Sequence, residues 1–103
     1  MDRIHHIALQ VDDIEQAVRW YRRQFDCEVH YQDATWAQLD FENLSLALVI
    51  AAQHSPHIGI SRHDANRFGP LKTHRDGTAS IYIDDPCGNA VEILDAATLK
   101  EDL

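Results

Sequence analysis

Hydrophobic and polar positions alternate with a period of two over most of this chain, and with a helical period over one stretch. Residues 4–11 place Ile7, Leu9 and Val11 on one face and His6, Ala8 and Gln10 on the other, which predicts a half-buried strand. Asp12 and Asp13 follow, with Glu15 and Gln16 three residues after each, so either pair can form a capping box that starts a helix. The helix is predicted over residues 14–25, because Ile14, Ala17, Val18, Tyr21 and Phe25 recur at helical spacing. That stripe reads as core packed on the aliphatic face of the first strand, with Tyr21 and Phe25 as packing residues. Strands are then predicted over residues 27–32, 36–41 and 44–52, with Glu42-Asn43 as the turn of a hairpin between the last two.

The second half repeats this pattern imperfectly. A short strand is predicted over residues 57–60, with His57 and Gly59 opposite Ile58 and Ile60. A helix should follow if the halves are repeats. Instead, residues 61–77 hold Gly69, Pro70 and Gly77 and no apolar stripe, so only a brief helical piece near 63–67 and an extended stretch near 71–74 are expected. Residues 79–84 set Ile81 and Ile83 against Ser80, Tyr82 and Asp84. After the turn Asp85-Pro86-Cys87-Gly88-Asn89, residues 90–94 set Ala90, Glu92 and Leu94 against Val91 and Ile93. The organisation expected is one domain of two modules, 1–53 and a shortened 54–95, with a tail or frayed helix over 96–103.

Composition narrows the function classes. The chain has 103 residues, enough for one domain, and 45% apolar residues suit a globular body. Its formal net charge of -8 argues against a phosphate-neutralising surface for nucleic acid and gives no attraction to an anionic membrane. The longest apolar run, 44–52, is too short to span a bilayer, and no signal-peptide pattern opens the chain, so a cytoplasmic location is expected. Arg19, Arg22 and Arg23 read as a solvated helix face. Arg62, Arg67, Lys72 and Arg75 read the same way, with contact to a small anionic substrate as the alternative. Cys27 and Cys87 form no CxxC and are expected to be reduced.

Three residues with metal-binding chemistry fall on the small-residue faces of the predicted strands: His6, His57 and Glu92. Ala8, Gln10, Ser45, Ala47, Gly59, Ser80 and Tyr82 share those faces and would border a cavity. Two neutral imidazoles and one carboxylate suit Fe, Mn, Zn, Ni or Co in the divalent state with coordination positions left open. The three are far apart in sequence, so no local motif enforces their meeting. Tyr82 either donates a hydrogen bond to a bound oxygen or simply packs. His74, before Arg75-Asp76-Gly77, is either an acid or base near the site or an exposed loop residue. No partner is assigned to His30, His54 or His63, and no Ser-His-Asp order, phosphate loop or zinc-finger spacing is present.

Two stretches carry a family resemblance. Ile4-His5-His6-Ile7-Ala8-Leu9-Gln10-Val11, with Asp13-Ile14-Glu15-Gln16-Ala17-Val18 and Trp20-Tyr21, is similar to the opening strand and helix of the vicinal oxygen chelate superfamily. The stretch Ser80-Ile81-Tyr82-Ile83-Asp84-Asp85-Pro86-Cys87-Gly88-Asn89-Ala90-Val91-Glu92-Ile93 resembles its closing hairpin, and His57-Ile58-Gly59-Ile60 is a shorter match. That superfamily includes glyoxalase I, methylmalonyl-CoA epimerase, extradiol dioxygenases, fosfomycin-resistance and bleomycin-resistance proteins. The resemblance implies an α+β fold of paired βαβββ modules, here with the second module lacking most of its helix. It implies a metal held by His6 (rather than His5, which shares a face with Ile7 and Leu9), His57 and Glu92. It also implies catalytic roles near that metal for Glu92, Tyr82 and His74. The activity implied is that of a metal-dependent enzyme, lyase, isomerase or dioxygenase-like, acting on a small oxygen-rich substrate. The alternatives are a metal-free binding protein of the bleomycin-resistance type and a dimeric interaction module.

Of three departures from the family pattern, Cys87 in place of the usual acidic residue of the closing turn is expected to change little, because Gly88 and Asn89 still supply the turn, and two bear on this. Strand 44–52 carries no Glu or His, where glyoxalase I-type members place a carboxylate, which counts against glyoxalase I and epimerase chemistry. Without a second helix, Ile58, Ile60, Ile81, Ile83, Val91 and Ile93 are expected to lack cover from this chain, and a homodimer is expected to supply it.

Overall fold

A computed structural model describes residues 1–53 and 55–99; His54 and the end of the expected tail, from Lys100, lie outside the described residues. Among the described residues there are eight strands, one α-helix and two short 3₁₀ turns, a mixed α+β fold. Two compact units divide the chain: His6–His57, and Met1–His5 together with the chain from Ile58 onward.

The His6–His57 unit holds most of β1 (Arg3–Gln10), then α1 (Ile14–Gln24), β2 (Glu28–Gln32), β3 (Trp36–Asp40) and β4 (Ser45–Val49), with strand order β2-β3-β4-β1. The hairpins β2–β3 and β3–β4 are antiparallel, whereas β1 runs parallel to β4. A parallel pair cannot be closed by a tight turn, and α1 lies on the crossover. Of the two expected capping boxes, Asp13 is the cap: its carboxylate accepts from the Gln16 backbone N–H at 2.9 Å. The helix ends one residue earlier than expected, at Gln24, where Phe25 leaves helical geometry.

The helical stripe buries through Ile14 and Val18, but mainly against a different partner from the one expected, and Phe25, expected to pack in the core, is 52% exposed. Ile14 and Val18 pack with Ala37, Leu39 and Leu48, all buried, and Val29, Leu46 and Ile50 close around them. The helix therefore covers β2, β3 and β4 more than β1. Ile7 and Leu9 do point to the helix side, because they pair in register with Leu46 and Leu48. Leu9 nevertheless stays 40% exposed, since its strand lies at the unit's edge beyond the helix.

The second unit holds the start of β1, β5 (His57–Arg62, from Ile58), β6 (Lys72–Thr73), β7 (Ala79–Asp84) and β8 (Ala90–Asp95), in the order β1-β5-β8-β7-β6. Where a second helix would stand there is one 3₁₀ turn, Ala65–Phe68, which packs on β7 and β8. Ala65 of the turn and Ile93 are buried, and Ile60, Ile81, Ile83 and Val91 are half-buried. The absent helix is thus partly replaced, and the expectation that this face has no cover from the chain is corrected. The cover is close. Gly69, just after the turn, has a φ of +140°, and a Cβ there would stand 2.5 Å from Cδ1 of Ile81.

Two substitutions test these accounts. Leu48→Ala removes a fully buried side chain and should lower stability by about 2–5 kcal/mol, read from denaturant midpoints. Gly69→Ala combines an unfavourable φ with a clash on Ile81 and should cost about 1–3 kcal/mol, visible as a lower melting temperature. An unchanged midpoint in either variant contradicts the packing described.

Candidate metal centre

Register decides which side chains share a face. In the first unit His6, Ala8 and Gln10 align with Ser45, Ala47 and Val49, and these align with Asp40, Gln38 and Trp36. This is the face opposite Leu46 and Leu48, and so opposite α1. Small side chains at Ala8 and Ala47 keep it shallow beside His6. It also carries a polar cluster: Gln38 Nε2 donates to Ser45 Oγ (3.1 Å) and to Asp40 (3.2 Å), and Ser45 Oγ donates to Asp40 (2.9 Å). His30 Nδ1 lies 3.2 Å from the other oxygen of Asp40, which gives that histidine a partner the sequence did not assign. The hairpin β3–β4 joins these residues, so its register was the signal that could have grouped them.

His6 and His57 meet within this unit. Their Nε2 atoms lie 3.1 Å apart, and the two rings stand nearly perpendicular, with an interplanar angle of 89°. The Nδ1 of His57 lies 2.9 Å from the Ser55 carbonyl oxygen. A carbonyl only accepts, so Nδ1 of His57 carries the proton and its Nε2 presents a lone pair when the ring is neutral. His57 is 8% exposed, which keeps bulk water from competing for that lone pair.

Glu92 belongs to the other unit and is 6% exposed. It pairs with Tyr82 across the β7–β8 hairpin, and the period of two puts Ser80, Tyr82 and Glu92 on one face. A buried carboxylate needs donors. Ser80 Oγ supplies one to Oε2 at 2.7 Å, and the Tyr82 hydroxyl also hydrogen-bonds to Glu92. Burial, then the negative charge and hydrogen bond of Glu92, push the Tyr82 phenol well above its ordinary value, so this hydroxyl keeps its proton at neutral pH and remains a donor. His74 Nε2 lies 2.6 Å from Ser80 Oγ and 3.7 Å from Glu92 Oε2. His74 is therefore one hydroxyl removed from the carboxylate. Ser80, 1% exposed, is the residue whose importance the sequence did not reveal; it read only as a small lining residue.

The sequence-predicted residues thus sit in two groups, the His6–His57 pair and the His74–Ser80–Tyr82–Glu92 cluster. Within its unit, the His6–His57 pair offers two imidazole nitrogens to a metal ion, and Glu92 offers a carboxylate in the other. The donor chemistry fits such an ion. Two nitrogens each about 2.1 Å from one centre and at a right angle to each other stand about 3 Å apart, close to the separation of the two Nε2 atoms.

Comparison with known proteins agrees with the fold. A glyoxalase/bleomycin resistance protein/dioxygenase superfamily member from Vibrio splendidus 12B01 superimposes with a TM-score of 0.68 at 12% identity, over 91% of this chain and 98% of that one. Methylmalonyl-CoA epimerase in complex with methylmalonyl-CoA and NH4+ gives 0.69 at 18% identity, over 98% and 99%. A structure described as NAD-dependent benzaldehyde dehydrogenase from Legionella pneumophila gives 0.69 at 13% identity, over 86% and 96%. At these identities the likeness is one of fold. No curated protein sequence matches the chain. The sequence profile of the Glyoxalase/Bleomycin resistance protein/Dioxygenase superfamily matches residues 3–67, more than half of the chain, and the protein belongs to that superfamily.

Proposed function

We propose that this protein is a divalent-metal-dependent enzyme of the vicinal oxygen chelate type, acting on a small oxygen-rich substrate, with His6, His57 and Glu92 as the ligands. The observation that carries the reading is the apposition of the two Nε2 atoms at 3.1 Å, with the His57 tautomer set by Ser55. A ligating imidazole whose other nitrogen is tied to a backbone carbonyl is the arrangement that orients a ring and raises its basicity. When bound, a divalent ion supplies Lewis acidity toward paired oxygens of a substrate.

The chain's own groups divide the remaining work. Glu92 can take and return a proton, Tyr82 keeps a phenolic donor beside it, and His74 stands behind Ser80 as an acid or base one link away. A lyase, isomerase or dioxygenase-like reaction would use these groups, and Fe, Mn, Zn, Ni and Co are all compatible with the ligand set.

A second reading draws on the same contact. With His57 protonated on Nδ1, a proton on His6 Nε2 makes the 3.1 Å approach an imidazole–imidazole hydrogen bond, as a metal-free binding protein of this fold would hold it. Elemental analysis of protein purified without chelators separates the two. Stoichiometric metal is expected, and it should be lost in His6→Ala, His57→Ala and Glu92→Ala proteins that remain folded. Metal-free protein after loading with each of the five ions overturns the enzyme reading in favour of the second.

A homodimer and a cytoplasmic setting belong to the proposal. On the face that the 3₁₀ turn covers only in part, Ile58 stays 41% exposed, and Cys27 and Cys87 are both free thiols. Sedimentation should give twice the chain mass, and Ile58→Lys should shift it toward the chain mass. A wild-type protein that sediments as a single chain across micromolar concentrations refutes the dimer.

A further inference from the structure

We propose that Ser80 and His74 are positioning residues for Glu92, linked in one directed chain from His74 Nε2–H to Ser80 Oγ–H to Glu92 Oε2. The ligand role of Glu92 comes from the reading above; the hydrogen-bond chain stands on its own geometry.

Proton counting gives the chain its direction. A serine hydroxyl has one proton to donate. Ser80 gives it to Glu92 Oε2 at 2.7 Å, and an ionised carboxylate can only accept. The 2.6 Å contact between Ser80 Oγ and His74 Nε2 must then be filled by a proton on the histidine. Ser80 is 1% exposed, so water does not compete for either contact.

The backbone supports the same arrangement. The His74 N–H donates to the Thr78 carbonyl at 2.7 Å, and the Gly77 N–H donates to the His74 carbonyl at 3.0 Å. Asp76 accepts from both the backbone N–H (3.0 Å) and the hydroxyl (2.7 Å) of Thr78. Gly77, with a φ of +90°, turns the chain where other residues are strained. A braced turn thus presents His74 at a fixed distance from the first residues of β7. Ser80 and Tyr82 sit two residues apart on the Glu92 side of that strand, so donors from two strand positions hold one carboxylate. A carboxylate held in one rotamer binds an ion without the entropy cost of ordering it, and loss of such support lowers metal affinity by about 10–100-fold.

Two measurements test this. In metal-free wild-type protein, ¹H–¹⁵N correlation spectra of the imidazoles should show His74 as the Nε2–H tautomer. Its Hε2 should be protected from exchange with water, and Ser80→Ala should remove that protection. An Nδ1–H tautomer, or an Hε2 that exchanges as freely as those of exposed histidines, overturns the chain whether or not the protein binds metal. In the second measurement, Zn(II) affinity is read by competition with a chromophoric chelator. Ser80→Ala and His74→Ala should each weaken it by about 10–100-fold, with Ser80→Thr and His74→Gln, which keep a hydroxyl and an N–H donor, recovering most of the loss. Wild-type affinity in folded Ser80→Ala refutes the positioning role. Failure of wild-type protein to bind any ion refutes the metal reading and the ligand-positioning role with it, while leaving the His74 tautomer as a separate result.

Discussion

The parallel pairing of β1 with β4 is the constraint on which the first unit depends. Parallel strands demand a crossover, and α1 supplies it. The helix then has to bury its stripe on one side of the sheet, and it does so over Ala37, Leu39 and Leu48. That choice leaves the other side, bearing His6, Ser45, Ala47 and Gln38, uncovered by the helix. A shift of one residue in the β1–β4 register would exchange the two faces of β1, setting Ile7 and Leu9 where His6 and Ala8 now stand. Chemistry at His6 is therefore a consequence of helix placement.

In the second unit the controlling requirement is electrostatic. Glu92 is buried, and the groups described around it are the hydroxyls of Ser80 and Tyr82 and the imidazole of His74. Neutral donors can keep a buried carboxylate solvated without neutralising it. Hydroxyls at two fixed strand positions orient such a carboxylate as well as solvating it.

Strand parity was legible in the sequence because period two is rigid. It placed His6 opposite Ile7 and Glu92 opposite Ile93, and β7 begins and ends where alternation began and ended. The packing partner of α1 was not legible. An amphipathic stripe says which side of a helix is buried and is silent about which strands lie beneath it, so β1 was expected where β2–β4 serve. The His74–Ser80–Glu92 chain was hidden for a related reason. A serine among small residues has no pattern that separates a lining position from a hydrogen-bond relay, and His74 reaches it only through a turn whose geometry depends on Asp76, Gly77 and Thr78 together. The Asp40 cluster needed the register of β3 on β4 before Gln38 and Ser45 could be seen as neighbours.

The segment leading into β5 carries a consequence for how this chain can change. Connections on a protein surface ordinarily absorb insertions and deletions with little effect on the scaffold. Here the carbonyl of Ser55, two residues before His57, fixes which ring nitrogen holds the proton, and Pro56 between them fixes its own φ and restricts the backbone of Ser55. An added residue between Ser55 and His57 would break the spacing of that contact and free the ring to adopt the other tautomer. In this protein the spacing of two residues in a loop sets which nitrogen of a ring holds its proton.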